Sequence, residues 1–274
     1  MRLARLLVCA LLALNSPFSS PSGPPTTTAS QASAILQQSL AALTGGLTLT
    51  DVTLTGSAQA IAGSDSETGT AALKAVYAGA SSLSLNLSAG ARGEIFNVSV
   101  TPPSGSWSGP DGIVHSVPYH NLLTGPFWFF PAFAIATSSS APNTVVTYVG
   151  PETHNGEAVQ HITIAQSSSA PFPPDVPSYA HMTQLDFYLD AATLLPASLD
   201  FNIHPDNNML LDIPVEIRFS DYTATSAASA PAGAASAMIP FHIQKFVNNM
   251  LSLDLQLQNA ALNTGLTVTQ VTGN

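Results

Sequence analysis

Seven histidines, His115, His120, His154, His161, His181, His204 and His242, are the residues of this sequence best suited to metal or proton chemistry. Their spacing builds no site along the chain. A helical metal pair places two histidines at i and i+4 beside a glutamate. Here the nearest pair, His115 and His120, is five apart and straddles Pro118. The one cysteine, Cys9, lies in an apolar N-terminal run. No metal and no cofactor is expected. Nucleophilic chemistry has no better signature. "GSWSG" centres on Trp107, so it is not a nucleophile elbow, which needs serine there. Asp186, Asp190 and Asp200 fall on the polar positions of an alternating hairpin and read as solvated carboxylates. No glycine-rich phosphate loop occurs, and no catalytic residue is assigned.

The strongest local signal is apolar. "TGPFWFFPAFA", Thr124 to Ala134, sets Phe127, Trp128, Phe129, Phe130 and Phe133 within seven residues. Adjacent aromatics cannot all point one way on a strand or helix, so part of the stretch meets a second apolar surface. That surface is either the protein's own core or a ligand. Leu36 and Leu40, from a helix described below, are further candidates for lining such a cavity, and Trp107 for its rim.

The elements that would position these residues follow from periodicity. "SQASAILQQSLAALTGG" repeats Ala32, Leu36, Leu40 and Leu43 at three- and four-residue steps, which predicts a helix from Ser30, its N-cap, to Gly45, its stop. From Leu47 the period becomes two. "LTLTDVTLTG" alternates with a slip at Asp51–Val52 that predicts a bulge. "LSLNLS", "LDFYLD", "LDFNIH", "IPVEIRFS", "IPFHI" and "LSLDLQLQ" each place apolar residues on one face and polar ones on the other. Turn clusters separate them, among them Asn207-Asn208 and Asn248-Asn249. About nine to eleven strands are expected, mostly as hairpins. Ser167 to Met182 is too proline-rich for a central strand, and Thr225 to Ala237 is an Ala/Ser loop. The fold class is α+β, mostly β: a large antiparallel sheet that must curl, with a helix lid over an apolar concave face.

Composition bounds the rest. Only 8% of residues are charged, so the wet surface is made of Ser, Thr, Asn and Gln. Residues 1–20, with Arg2 and Arg5 before an apolar run, read as a secretory signal peptide. Residues 21–29 read as a flexible lead, and residues 30–274 as one domain. Beyond the signal, Lys74, Arg92, Arg218 and Lys245 stand against sixteen acids, which argues against nucleic acid and anionic membrane surfaces. Val8 before Cys9 makes a poor lipobox, so anchoring through Cys9 is not expected.

Several phrases resemble a family. They are "YVGPETHNGEAVQHITI", "LDFYLDAATLLPASLDF", "IRFSDYTAT" and the closing "IPFHIQKFVNNMLSLDLQLQNAALNTGL", with the helix from Ser30 and "DGIVHSV" fitting the start and middle. The chain resembles the bacterial outer-membrane lipoprotein carrier and receptor superfamily, LolA/LolB-like, with the related periplasmic stress-sensor domain RseB. The resemblance covers most of residues 30 to 271. It implies a half-barrel whose lid and concave face bound a cavity for lipid chains, and a periplasmic location. It also implies a basic residue near an early strand that holds the lid closed, with Lys74 and Arg92 in that region. The expected function is binding of a lipid or lipoprotein acyl chain, as a monomer, for transport or sensing. Two other classes stay open. One is an envelope interaction module with a filled core that meets a protein partner through its sheet edge or Ala/Ser loop. The other is a hydrolase, which needs a Ser–His–Asp cluster in a cleft.

Overall fold

A computed structural model describes residues 28–168, 177–228, 230–231, 233 and 235–273. Residues 1–27, on which the expected signal peptide, Cys9 and most of the expected lead fall, and much of the proline-rich loop lie outside these residues.

The chain begins with helix α1 (Thr28–Thr44). Ala32, Leu36 and Leu43 of its apolar face are buried in the main core. The helix starts before Ser30, which is therefore inside it and is not the N-cap. Gly45 ends the helix at φ +57, as the sequence predicts. A Cβ there would also sit 2.1 Å from the carbonyl oxygen of Ser236.

Thirteen strands follow: β1 (Asp51–Ala62), β2 (Asp65–Val76), β3 (Ala80–Leu87), β4 (Gly90–Asn97), β5 (Ser104–Ser108), β6 (Val114–Ser116), β7 (Thr144–His154), β8 (Glu157–Gln166), β9 (Leu185–Asp190), β10 (Pro196–Ile203), β11 (Ile213–Ser226), β12 (Ser236–Val247) and β13 (Met250–Leu262). All join one antiparallel sheet in the order β6-β5-β4-β3-β2-β1-β13-β12-β11-β10-β9-β8-β7. Each strand pairs with its neighbour in sequence, except that β1 pairs with β13 and the β6 and β7 edges stay apart.

Period-two alternation puts Val52, Leu54, Leu73, Leu83, Ile162, Phe187, Leu199, Ile217, Ile243 and Leu255 on the concave face, where they form one core. The sheet is curved and open, a half-barrel. The bulge in β1 falls between Thr55 and Gly56, not at Asp51–Val52, because β1 begins only at Asp51. A Cβ on Gly56 would meet Gln256 backbone at 2.1 Å, so glycine permits the irregular pairing with β13. The Ala/Ser loop is shorter than the sequence suggests, since Thr225 and Ser226 still pair with Ala237 and Ser236. Asn248 and Asn249 both take positive φ, at 52° and 61°, in the tight β12–β13 turn.

Three further helices complete the chain: α2 (Pro131–Ser140), α3 (Tyr179–Met182) and α4 (Val268–Thr272). Helix α1 packs against β7, β12 and α2. Helix α4 packs outside β2, β3 and β4, where Val271 meets Val76 and Ala80.

Candidate functional site

The aromatic stretch belongs to the connection between the two edge strands, β6 and β7. It crosses the mouth of the half-barrel. A single 3-10 turn, Tyr119–Leu122, leads into Thr124–Phe130, and Pro131 then opens α2 at its first position, where a missing N–H costs nothing. The first half of α2 is apolar all round and is buried at Ala132, Phe133, Ala134 and Ile135.

Beneath this roof lies a cavity of about 360 Å³. Its walls come from opposite arms of the sheet: Tyr77 to Gly79 at the β2–β3 turn on one side, and Ile164, Leu185 and Leu199 on the other. Leu122, Leu123, Pro126, Phe127 and Ala134 roof it. Three hydroxyls in its wall are turned to nearby backbone carbonyls. Thr137 Oγ1 donates to Phe133 O at 2.7 Å, Ser138 Oγ to Ala134 O at 2.6 Å and Thr183 Oγ1 to Tyr179 O at 2.8 Å. Thr124 Oγ1 differs from these three, being buried without a hydrogen-bond partner. Among the described residues no charged side chain lines this space.

Phe127 carries its own signal. It is 2% exposed and holds φ +69, a left-handed backbone that bulky L-residues rarely adopt. Strain of this kind persists only where packing over-determines it, and it clusters at ligand clamps.

The sequence-predicted residues separate into groups. Phe127 lines the 360 Å³ cavity. Trp107 and Trp128 line a second space of about 260 Å³ with Phe96, Phe201 and Ile203. Trp107 is half exposed there and stacks on His115 at 4.3 Å. Leu36 and Leu40 line a third, about 160 Å³, with Ile135 and Val146. Phe129, Phe130 and Phe133 are at most 2% exposed and belong to the main core, Phe130 meeting Phe133 edge-on at 4.8 Å. Tyr77, Val98, Leu122 and Ala134 were not singled out by sequence reasoning, because no periodicity marks them. Leu185 and Leu199 are legible in the sequence only as apolar positions of alternating strands.

Charge enters the concave face at one place. Trp128 Nε1 donates to Glu94 Oε2 at 2.9 Å, and Lys245 Nζ lies 4.7 Å from the Trp128 ring and 4.0 Å from Glu94 Oε1. Arg92 pairs with Glu67 nearby. The register sets Arg92 opposite Leu85 and Lys245 opposite Leu253, so both bases are on the concave side. Lys74 lies opposite Thr53 and Ser82 and points outward.

The convex face carries a polar cleft of about 420 Å³ over β7 to β11. Asp186, Asp200 and Glu216 lie directly opposite one another on β9, β10 and β11. Burial, then repulsion from Glu216 and Asp186, pushes Asp200 up to about 8, against partial relief from Arg218. Asp200 is therefore not the freely solvated carboxylate the alternation suggests. His154 and His161 stack on Tyr188 at 3.7 and 4.4 Å, and Arg218 grips Glu216 through Nε and Nη2 at 2.8 Å.

A curved antiparallel sheet, with helices and an aromatic segment across its mouth, is a half-barrel. Comparison with solved structures finds the same fold. A Vibrio parahaemolyticus domain described as an outer membrane lipoprotein-sorting protein superposes with a TM-score of 0.53 at 14% identity, covering 87% of this chain and 95% of that one. A DUF1329 family protein from Desulfovibrio piger gives 0.52 at 9% identity, covering 88% and 96%. A LolA superfamily protein from Nitrosomonas europaea gives 0.51 at 10% identity, covering 88% and 97%. The fold of this protein is the LolA-like fold. No protein-family model and no curated protein matches the sequence.

Proposed function

We propose that this protein is a cell-envelope binding protein that holds a lipid or acyl chain in the 360 Å³ cavity, for transport or sensing. The observation that carries the reading is the cavity wall: apolar side chains from both arms of the sheet, the hydroxyls of Thr137, Ser138 and Thr183 satisfied by nearby backbone, and the buried, unpaired hydroxyl of Thr124. Such a wall suits a neutral chain, with an ester or alcohol oxygen accepting from or donating to Thr124. Binding comes from burying methylenes, at about 0.8 kcal/mol each. The volume is near the lower end of the roughly 300–1,000 Å³ range of small-molecule sites. It favours one chain over several. The fold likeness to a lipoprotein-sorting domain and a LolA superfamily protein supports a periplasmic carrier or sensor of lipid or lipoprotein acyl chains. The signal-like N-terminus is consistent with export. The reading requires no chemistry of bond making, only displacement of the 119–141 roof.

A second reading has its own support. Phe129, Phe130 and Phe133 fill the interior from the middle of the stretch, as they would in an envelope interaction module that carries no ligand.

Detergent-free native mass spectrometry of the protein from its own periplasm separates the two. Under the binding reading, extra mass extracts into organic solvent as acyl lipid. Ala134→Phe, which fills the cavity from α2, abolishes it while the protein stays folded. A bare mass with no uptake of added phospholipid or monoacylglycerol sinks that reading and leaves the filled-core module.

A further inference from the structure

Three residues that lie far apart in the sequence converge beside the roof. His181 is in the one-turn helix α3, His204 follows the last residue of β10, and Asp212 precedes the first residue of β11. His181 Nε2 stands 2.9 Å from Asp212 Oδ1, and His204 Nε2 stands 3.0 Å from the same oxygen. One ligand atom from each lies within 4.8 Å of the other two.

We propose that His181, His204 and Asp212 form a binding site for one divalent transition-metal ion of the zinc class, completed by solvent. Two imidazoles and a carboxylate are the donors that zinc takes, and three protein ligands with an open fourth position is a recurrent form. Metal–ligand bonds of about 2.0 Å set tetrahedral ligand atoms about 3.3 Å apart. The contacts at 2.9 and 3.0 Å lie within a few tenths of an ångström of that spacing. Sharing one carboxylate oxygen between two imidazole nitrogens already draws the donors to a common point.

The surroundings hold the site in place. The His204 side chain is 1% exposed, and its Nδ1 is buried without a hydrogen-bond partner. The His204 backbone is clamped by Asn121, which donates to its carbonyl at 2.8 Å and accepts from its amide at 2.9 Å. His181 and Asp212 are 38% and 42% exposed, which gives an ion a way in. His120 is close, but its Nε2 faces the His204 carbonyl at 3.4 Å.

The other His–carboxylate group, His154, Asp200 and Glu216, makes a useful contrast. There the guanidinium of Arg218 already occupies both oxygens of Glu216 and repels a cation. Among the described residues, no arginine or lysine pairs with Asp212, the carboxylate of the His181 group.

An ion at this position would tie α3 to the β10–β11 turn and, through Asn121, to the roof turn. The proposal stands whether or not the cavity holds a lipid. Its test is zinc titration of the purified, chelator-treated full chain by calorimetry, with magnesium as the comparison. One zinc binds per chain and magnesium does not compete. His181→Ala and Asp212→Ala, both at exposed positions, each weaken binding by about ten-fold or more. His242→Ala, which breaks the separate His242–Asp254 contact at 3.0 Å, leaves it unchanged. Absence of saturable zinc binding overturns the proposal. So does binding that survives either His181→Ala or Asp212→Ala, or that is lost equally in His242→Ala. X-ray absorption of the zinc form should show two imidazoles, and one or none also overturns it.

Discussion

Lys245 on β12 and Glu94 on β4 come within 4.0 Å of each other although four strands separate theirs in the sheet. The contact runs across the concavity, and Trp128 stands between the two, donating to the carboxylate and offering its ring to the ammonium. One of the few basic residues of this chain is thus spent inside the curve, and the aromatic segment is clipped to both arms of the sheet.

The clip is expected to be cooperative. Trp128→Phe keeps most of the packing but loses the hydrogen bond to Glu94 and should cost about 1–2 kcal/mol in urea unfolding. Lys245→Met removes the cation from the ring. A double-mutant cycle on the pair should give a coupling of about 1 kcal/mol. Strict additivity would mean that the ring and the ammonium act independently.

At Phe127 the smaller residue should do better. Both Phe127→Ala and Phe127→Gly lose the buried ring, a loss of about 3–5 kcal/mol. Glycine alone accepts φ +69 without strain. Phe127→Gly is therefore expected to be more stable than Phe127→Ala by about 1 kcal/mol. The reverse order in thermal unfolding would show that the backbone there relaxes.

Asp200 gives the protein an unusual pH response. Its folded value of about 8 exceeds the ordinary 3.8, so the folded chain holds a proton that the unfolded chain has released. That contribution to stability is complete below pH 3.8 and fades as pH rises to about 8. Asp200→Asn should flatten the decline and stabilise the protein at pH 8 by about 2 kcal/mol, after allowance for partial exposure. Urea midpoints at pH 5 and pH 8 for both proteins decide it. A parallel pair of curves would place the Asp200 proton elsewhere.

Asp51 works in the opposite sense. It is 1% exposed, and burial alone would raise it. Hydrogen bonds from Thr264 N at 2.9 Å, Thr264 Oγ1, Thr50 Oγ1 and Gly265 N outweigh burial and lower it. Its stabilisation is present above pH 3.8 and is lost as pH falls through the lowered value. Asp51→Asn should cost about 2–3 kcal/mol at neutral pH and remove part of the acid transition followed by circular dichroism.

Much of this architecture can be read from the chain, and the reasons are local. Strands with one wet face declare themselves, as Leu83, Leu85 and Leu87 do, or Ile213, Val215, Ile217 and Phe219. Strands β4, β5 and β6 do not. "GARGEIFN", "SGSWS" and "VHS" are glycine-rich, short or exposed, so their pairing comes from neighbours and not from pattern. That shortfall accounts for thirteen strands where the alternation suggests about nine to eleven. Helix α2 is hidden for another reason: an apolar first half and a serine-rich second half show no face. The aromatic cluster was visible as a candidate site. Its division between cavity wall and core depends on a left-handed turn at Phe127 that no spacing announces. The His181, His204 and Asp212 group was invisible, because it forms only when α3 and the β10–β11 turn fold together.

The pairing of β1 with β13 has a consequence for how the protein is made. Every other neighbour in the sheet is also a neighbour in the chain, so two hairpin series, β1 to β6 and β7 to β13, can each zip up locally and quickly. The seam between them joins the first strand to the last. It can form only after β13 has been made, and until then each series presents an unpaired edge. Shielding of β1 during that interval would protect the edge that β13 later takes from pairing with another chain.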